Sequence, residues 1–132
     1  LFFIAPINSS DSNFSQLQAF KNRYLDTVKV VCILSIEDGF HASNALAIQS
    51  LYANMDVVIT EGMYTKKTSG TSQSLLMKWL TDKNRNFHFD MDSGGIGHKF
   101  FVNESGRLFA VMPQQTSLSF PVINRIVHSS PQ

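Results

Sequence analysis

Cysteine is almost missing from this sequence of 132 residues; Cys32 is the only one. One thiol excludes an internal disulfide and any cysteine-rich metal centre. Charge is scarce too. Charged residues make up 16% of the chain, and eleven Lys and Arg face ten Asp and Glu, for a net charge of +1. That balance leaves no large basic footprint, which excludes nucleic-acid binding driven by phosphate neutralisation. It is also too low in charge for a disordered acidic or basic segment. Long apolar runs are absent. Val30-Val31-Cys32-Ile33-Leu34 has the length of a strand, far short of the ~18–20 residues that cross a bilayer. No signal peptide is visible, and the compartment is left open. The chain opens inside an apolar run, Leu1-Phe2-Phe3-Ile4. What is present is a hydrophobic fraction of 43%, enough to build the core of one domain over residues 1–132.

The pattern of apolar residues predicts alternating elements. Residues 1–5 read as a buried strand closed by Pro6. Residues 8–12 are a cluster of capping residues, and a helix follows over 13–25, with Phe14, Leu17, Phe20, Tyr24 and Leu25 on one stripe. Residues 27–35 read as a second strand apolar on both faces. Two such strands joined by an amphipathic helix form a βαβ unit with a parallel sheet. A second helix is predicted over 44–54, capped by Ser43, and a third strand over 56–60. Residues 65–72 read as a polar loop, and a third helix spans 74–83. Residues 87–92 alternate apolar and polar, as an edge strand or an extended loop. Ser93-Gly94-Gly95-Ile96-Gly97 must be irregular. Strands over 99–103 and 107–112 form a hairpin, and Ser119-Phe120-Pro121 opens a closing helix with Phe120, Ile123, Ile126 and Val127 on its inner stripe. The expected fold is α/β: a three-layer α/β/α sandwich with a mixed central sheet, a C-terminal hairpin and a closing helix, the thioredoxin-like arrangement.

Several pieces, in order, resemble the glutathione peroxidases. Asp11-Ser12-Asn13-Phe14-Ser15-Gln16-Leu17-Gln18 resembles the T-D-S-N-Y-x-Q-L-Q opening of that family's first helix. Leu75-Leu76-Met77-Lys78-Trp79-Leu80 resembles its P-L-Y-K-W-L helix, and Lys99-Phe100-Phe101-Val102-Asn103 with Gly106 its K-F-L-V-D-x-x-G strand and turn. Residues 113–127 are similar to its ending. Thioredoxins and peroxiredoxins usually carry a proline before the hairpin strand; Gly97-His98 stands there, as in the glutathione peroxidase branch, which also lacks it. The short hairpin that precedes the first core strand in the family is missing from this sequence.

The resemblance implies peroxide reduction by a thiolate or selenolate held at a helix N-terminus, where the dipole and free N–H groups lower its pKa. Without gaps, Ile7 falls at that position; with a slip, Ser9 or Ser10 does. None is a thiol, and a serine hydroxyl has no sulfenic-acid cycle. The family's Gln falls on Asp38, beside Glu37, and its Trp and Asn on Gly95 and Ile96. All four catalytic identities are therefore replaced. Cys32 is an alternative thiol, but it sits in a strand expected to be covered on both faces, where a cysteine is structural. The chain is thus expected to be a redox-fold binding or interaction module, with Ser9, Ser10, Glu37, Asp38 and Gly95 forming a bowl at the strand ends, where open α/β sheets bind ligands. That bowl would take a small molecule or a protein partner, with no cofactor. One alternative is a divergent antioxidant thiol peroxidase or redoxin that uses Cys32 or a partner's thiol. Another is a small metal-binding protein using His88, Asp90 and Asp92, which share a face if that segment is extended; the plainer reading of these three is a solvated edge. The glycine loop lacks G-x-G-x-x-G spacing and no helix follows it, which argues against a phosphate cradle. No G-x-S-x-G elbow supports a serine nucleophile.

Overall fold

A computed structural model describes residues 1–129. The chain is α/β, with five strands in one mixed open sheet of order β3-β2-β1-β4-β5. β1 (Phe2–Ile4), β2 (Val31–Ser35) and β3 (Val58–Met63) are parallel. β4 (Lys99–Val102) runs antiparallel to β1, and β5 (Leu108–Met112) antiparallel to β4. Among the described residues five α-helices connect or follow them: α1 (Ser12–Tyr24), α2 (Ala45–Tyr52), α3 (Leu75–Thr81), α4 (Lys83–Asn86) and α5 (Pro121–His128). Among the described residues no helix is long and apolar enough to cross a membrane.

Alternation along each strand divides the core in two. Phe3, Cys32, Leu34 and Phe101 point to one face, where Phe14, Leu17 and Phe20 of α1, Ile48 and Tyr52 of α2, and Ile123 and Ile126 of α5 cover them. Ile4, Ile33, Phe100, Leu108 and Val111 point to the other, against Met77 and Leu80 of α3. Each fully buried side chain of this size contributes roughly 1.5–3 kcal/mol. The central strands are apolar on consecutive residues because helices lie on both faces.

The elements sit close to their expected places, with shifts that have local causes. α1 starts at Ser12 because Asp11 caps it, its carboxylate accepting from Asn13 N at 2.9 Å. β2 begins only at Val31, since residues 25–28 form the turn that leaves α1. Ser43 does not cap α2; it lies in a short 3-10 turn, Ala42–Asn44, and Asn44 Oδ1 instead accepts from His41 N at 3.0 Å. β3 runs two residues later than expected, because its ladder starts with Val58 N donating to Val30 O and extends through Gly62 and Met63. A bulge interrupts it where Leu34 N donates to the Thr60 hydroxyl at 3.1 Å rather than to a backbone carbonyl. The third predicted helix is split at Asp82, whose side chain caps α4 through Asn84 N. In α3, Leu75 faces solvent while Met77 and Leu80 are buried. Residues 87–92 form no strand; the sheet edges are β3 and β5. Phe120, not Ser119, is the cap residue of α5, with Pro121 in its first turn, and Phe120 is half exposed rather than part of the buried stripe.

Phe87 ends α4 in the left-handed region, at φ 71°, and the residue is 74% exposed. Glycine adopts this backbone without a Cβ penalty, and little packing is lost with the ring. Phe87→Gly is expected to stabilise the fold by about 0.5–1 kcal/mol, seen as a rise of a few degrees in Tm. A fall in Tm would show that the phenyl ring is held by contacts stronger than its exposure suggests.

Candidate functional site

The carboxyl ends of β1, β2 and β3 deliver three segments to one end of the sheet: residues 5–7, 36–39 and 64–66. The glycine loop 93–97 joins them, because Gly97 N donates to Ile4 O at 2.8 Å and Ile4 N to His98 O at 3.0 Å. This is the crevice end of an open α/β sheet, where ligands bind in this class.

Ile7 is half-buried and packs on the larger apolar cluster. Gly39 makes room for it. A Cβ on Gly39 would stand 2.9 Å from Ile7 Cδ1, and Gly39 has φ +110°. The preceding carbonyl, Pro6 O, accepts from the Tyr52 hydroxyl at 2.5 Å. Position 7 is therefore held by apolar packing and one buried hydrogen bond.

The head of α1 is already occupied. Asp11 Oδ1 accepts from Asn13 N at 2.9 Å and from Asn13 Nδ2 at 3.0 Å. The Asn13 side chain lies over Gly97, where a Cβ would stand 2.7 Å from Asn13 Oδ1 and the backbone has φ +93°. Only glycine fits there. Ser9 and Ser10 lie on an exposed turn. Ser10 Oγ donates to Asn8 Oδ1 at 2.6 Å, and no hydrogen bond joins either serine to Glu37, Asp38 or Gly95.

Glu37 and Asp38 divide the work of closing the β2 end. The Glu37 carboxylate accepts from Thr65 N at 2.7 and 3.0 Å, from Lys66 N at 2.7 Å and from Ser69 Oγ at 2.8 Å. It thereby organises residues 65–72, which the sequence left as a loop and which fold into a 3-10 turn, Lys67–Ser72. Burial alone would raise its pKa, but the Lys66 and Thr65 N–H groups and the Ser69 hydroxyl outweigh that and hold it at about 2. Asp38 Oδ2 accepts from Ser35 Oγ at 2.6 Å, and Asp38 Oδ1 lies 3.6 Å from Lys66 Nζ. The same Oδ1 lies against Gly95, 3.0 Å from where a Cβ would be. So the expected bowl assembles only in part. Asp38 and Gly95 meet, with Lys66 as a third member; Glu37 is adjacent but committed to its loop; Ser9 and Ser10 are outside. Ile96 packs on the second apolar cluster.

The remaining candidates separate. Cys32 is fully buried near the start of β2, and burial pushes its thiol up to about 12. Asp90 Oδ1 accepts from Lys67 Nζ at 2.9 Å, and Asp92 Oδ1 from Lys67 N at 2.9 Å and Ser93 N at 2.8 Å. His88 is exposed. Because residues 87–92 are not extended as a strand, the three do not converge, and among the described residues no group of three or more His, Cys, Asp or Glu is placed to hold a metal ion.

Two residues outside the expected bowl, Lys99 and His98, hold the glycine loop. Lys99 is fully buried; its Nζ donates to Gly97 O at 2.6 Å and Pro113 O at 3.2 Å, and burial lowers its pKa to about 8. His98 is buried against Phe100, the rings stacked at 4.8 Å, with Nδ1 accepting from Gly94 N at 3.1 Å. Lys66 was legible in principle, since a cation directly after a parallel strand lands at the ligand end of the sheet. The contacts of His98 and Lys99 depend on long-range packing.

Fold and site together define the class as an α/β protein with a mixed five-stranded sheet and a polar crevice at its parallel strand ends. No protein-family model matches the chain, and no curated protein sequence matches it.

Proposed function

We propose that this chain is a thioredoxin-like domain of the glutathione peroxidase type that works without a thiol. It acts as a non-catalytic binding module, with Asp38, Lys66 and the glycine loop facing a small molecule or a protein partner. The observation that carries this reading is the packing of Ile7. An apolar side chain fills the sequence position of the family's thiol, while the one cysteine lies inside the sheet. A parallel βαβ unit followed by an antiparallel hairpin, with helices on both faces, supports the thioredoxin-like reading. So does the ordered set of glutathione peroxidase-like segments.

The chemistry follows from the thiolate fraction. With a pKa near 12, Cys32 is a thiolate in roughly one molecule in 10^5 at pH 7, and no peroxide path reaches a fully buried sulfur without opening the fold. Hydrogen peroxide with glutathione or thioredoxin as reductant is expected to be consumed no faster than in buffer, with Cys32→Ser identical to the parent. Native Cys32 is expected to resist alkylation and sulfenylation and to label fully in denaturant. Peroxide turnover that Cys32→Ser abolishes would overturn the proposal and favour a divergent thiol peroxidase.

A further inference from the structure

Two clefts meet at the opposite end of the sheet, between the last turns of α1 and α2 and the start of β3. Their volumes are about 480 and 140 Å3, and Lys21, Leu25, Asp26 and Asp56 line both. The larger is of a size that small-molecule sites use. This end of the molecule is remote from Asp38 and Gly95, and the inference is independent of the function proposed above.

Lys21 is only 8% exposed. Its ammonium has three protons to donate, and a buried one needs partners. It donates to Leu25 O at 3.3 Å, and the nearest carboxylate oxygen, Asp56 Oδ2, is 3.9 Å away, beyond hydrogen-bond distance. Asp56 is 91% exposed in its side chain and accepts no hydrogen bond among the described residues. The pair is thus close enough to attract but left open. Beside it, Leu51 and Met55 are half-buried and Leu25 is 65% exposed. Leu25 holds that apolar surface out at a strained φ of 39°.

We propose that this joined cleft binds a small zwitterion with an apolar side chain, a free hydrophobic α-amino acid. Its carboxylate takes the open protons of Lys21. Its ammonium sits on Asp56, with Asp26 nearby, and its side chain lies on Leu25, Leu51 and Met55. The charges decide between ligand classes. Lys21 and Lys29 alternate with Asp26 and Asp56 around the joined cleft, so a simple anion also meets two carboxylates and a simple cation also meets two ammonium groups. An α-amino acid carries its two charges on neighbouring carbons and closes a ring of alternating charge with the Lys21–Asp56 pair.

The test is titration of the whole chain with L-leucine, followed by backbone amide shifts in NMR. Two single-charge analogues, 4-methylpentanoate and isopentylamine, are titrated in parallel. Saturable shifts are expected at residues 18–26 and 51–58, with both analogues at least about tenfold weaker because each forfeits one charge-assisted contact. Asp56→Asn, at an exposed position, is expected to weaken L-leucine about fivefold or more without weakening 4-methylpentanoate, which loses only a repelling carboxylate. Lys21→Met is expected to abolish binding of L-leucine. The proposal is overturned if no saturable shift occurs, if shifts fall elsewhere, if 4-methylpentanoate binds as well as L-leucine, or if Asp56→Asn binds L-leucine like the parent.

Discussion

Glu37→Ala is expected to lower stability by about 3 kcal/mol and to release residues 64–73 from the sheet end. One carboxylate satisfies the N–H groups of Thr65 and Lys66 and the hydroxyl of Ser69, at 2.7–3.0 Å. Hydrogen bonds to a charged group contribute roughly 1.5–3 kcal/mol each. The sum is reduced here because Glu37 is only partly buried, so water screens the charge and can re-solvate the loop. Glu37→Gln keeps the shape, loses the charge and one acceptor oxygen, and should cost about half as much. The pH dependence has a definite sign. The carboxyl pKa lies at about 2 in the fold, below its ordinary 4.5, so its contribution is complete above pH 4.5 and is lost as pH falls from 4.5 toward 2. Urea midpoints of the parent and both variants at pH 7, with amide exchange over 64–73, measure the effect. A midpoint for Glu37→Ala equal to the parent's would show that the loop holds itself.

A second loss of stability on acidification is expected earlier, from His98. Its Nδ1 accepts from Gly94 N, which places the proton of the neutral ring on Nε2, an atom enclosed without a partner. A second proton on Nδ1 would face the Gly94 N–H and break that bond. Burial first, then the neighbouring Lys99, hold the pKa at about 4, with Asp92 pulling weakly the other way. The unfolded chain takes up the proton near pH 6.5, while the folded chain does not until about pH 4. Stability therefore falls as pH falls through that window, by about 3 kcal/mol over its full span. The other three histidines are exposed. His98→Gln keeps an acceptor for Gly94 N–H and does not titrate; from pH 6.5 to 5 its stability is expected to fall less steeply than the parent's, the remaining decline coming from the buried N-terminal ammonium, whose pKa burial lowers to about 6. Parallel pH curves for the two proteins would assign the decline to another group.

The fold was legible in the sequence to the extent that local pattern determines it. The stripe Phe14, Leu17, Phe20 and Tyr24, the apolar runs of β1 and β2, and the Gly106 turn predict their elements within a few residues. What failed was decided by single side chains acting over long range. Asp82 breaks a continuous helical pattern into α3 and α4, and Glu37 shapes a segment 28 or more residues away. In the candidate site, Asp38 and Gly95 came together because topology brings the ends of β1 and β2 beside the glycine loop. Ser9 and Ser10 did not join them, since nothing in a run of capping residues says which one caps; Asp11 does. Lys21 gave no signal at all. Its place on α1 reads as a cation suited to the helix dipole, and only the packed structure shows it at the floor of a cleft.

The packing of Ile7 bears on what a sulfur placed before the head of α1 would meet. On the glutathione peroxidase reading, the first turn of α1 would stabilise an anion at position 7. Here a resident carboxylate already draws on that field, and Asn13 is tied to it. A cysteine put in place of Ile7 would meet the apolar packing that now holds that side chain, so its thiol would gain little acidity. On the same reading it is the packing around position 7, and not the helix cap, that decides the reactivity of a sulfur placed there.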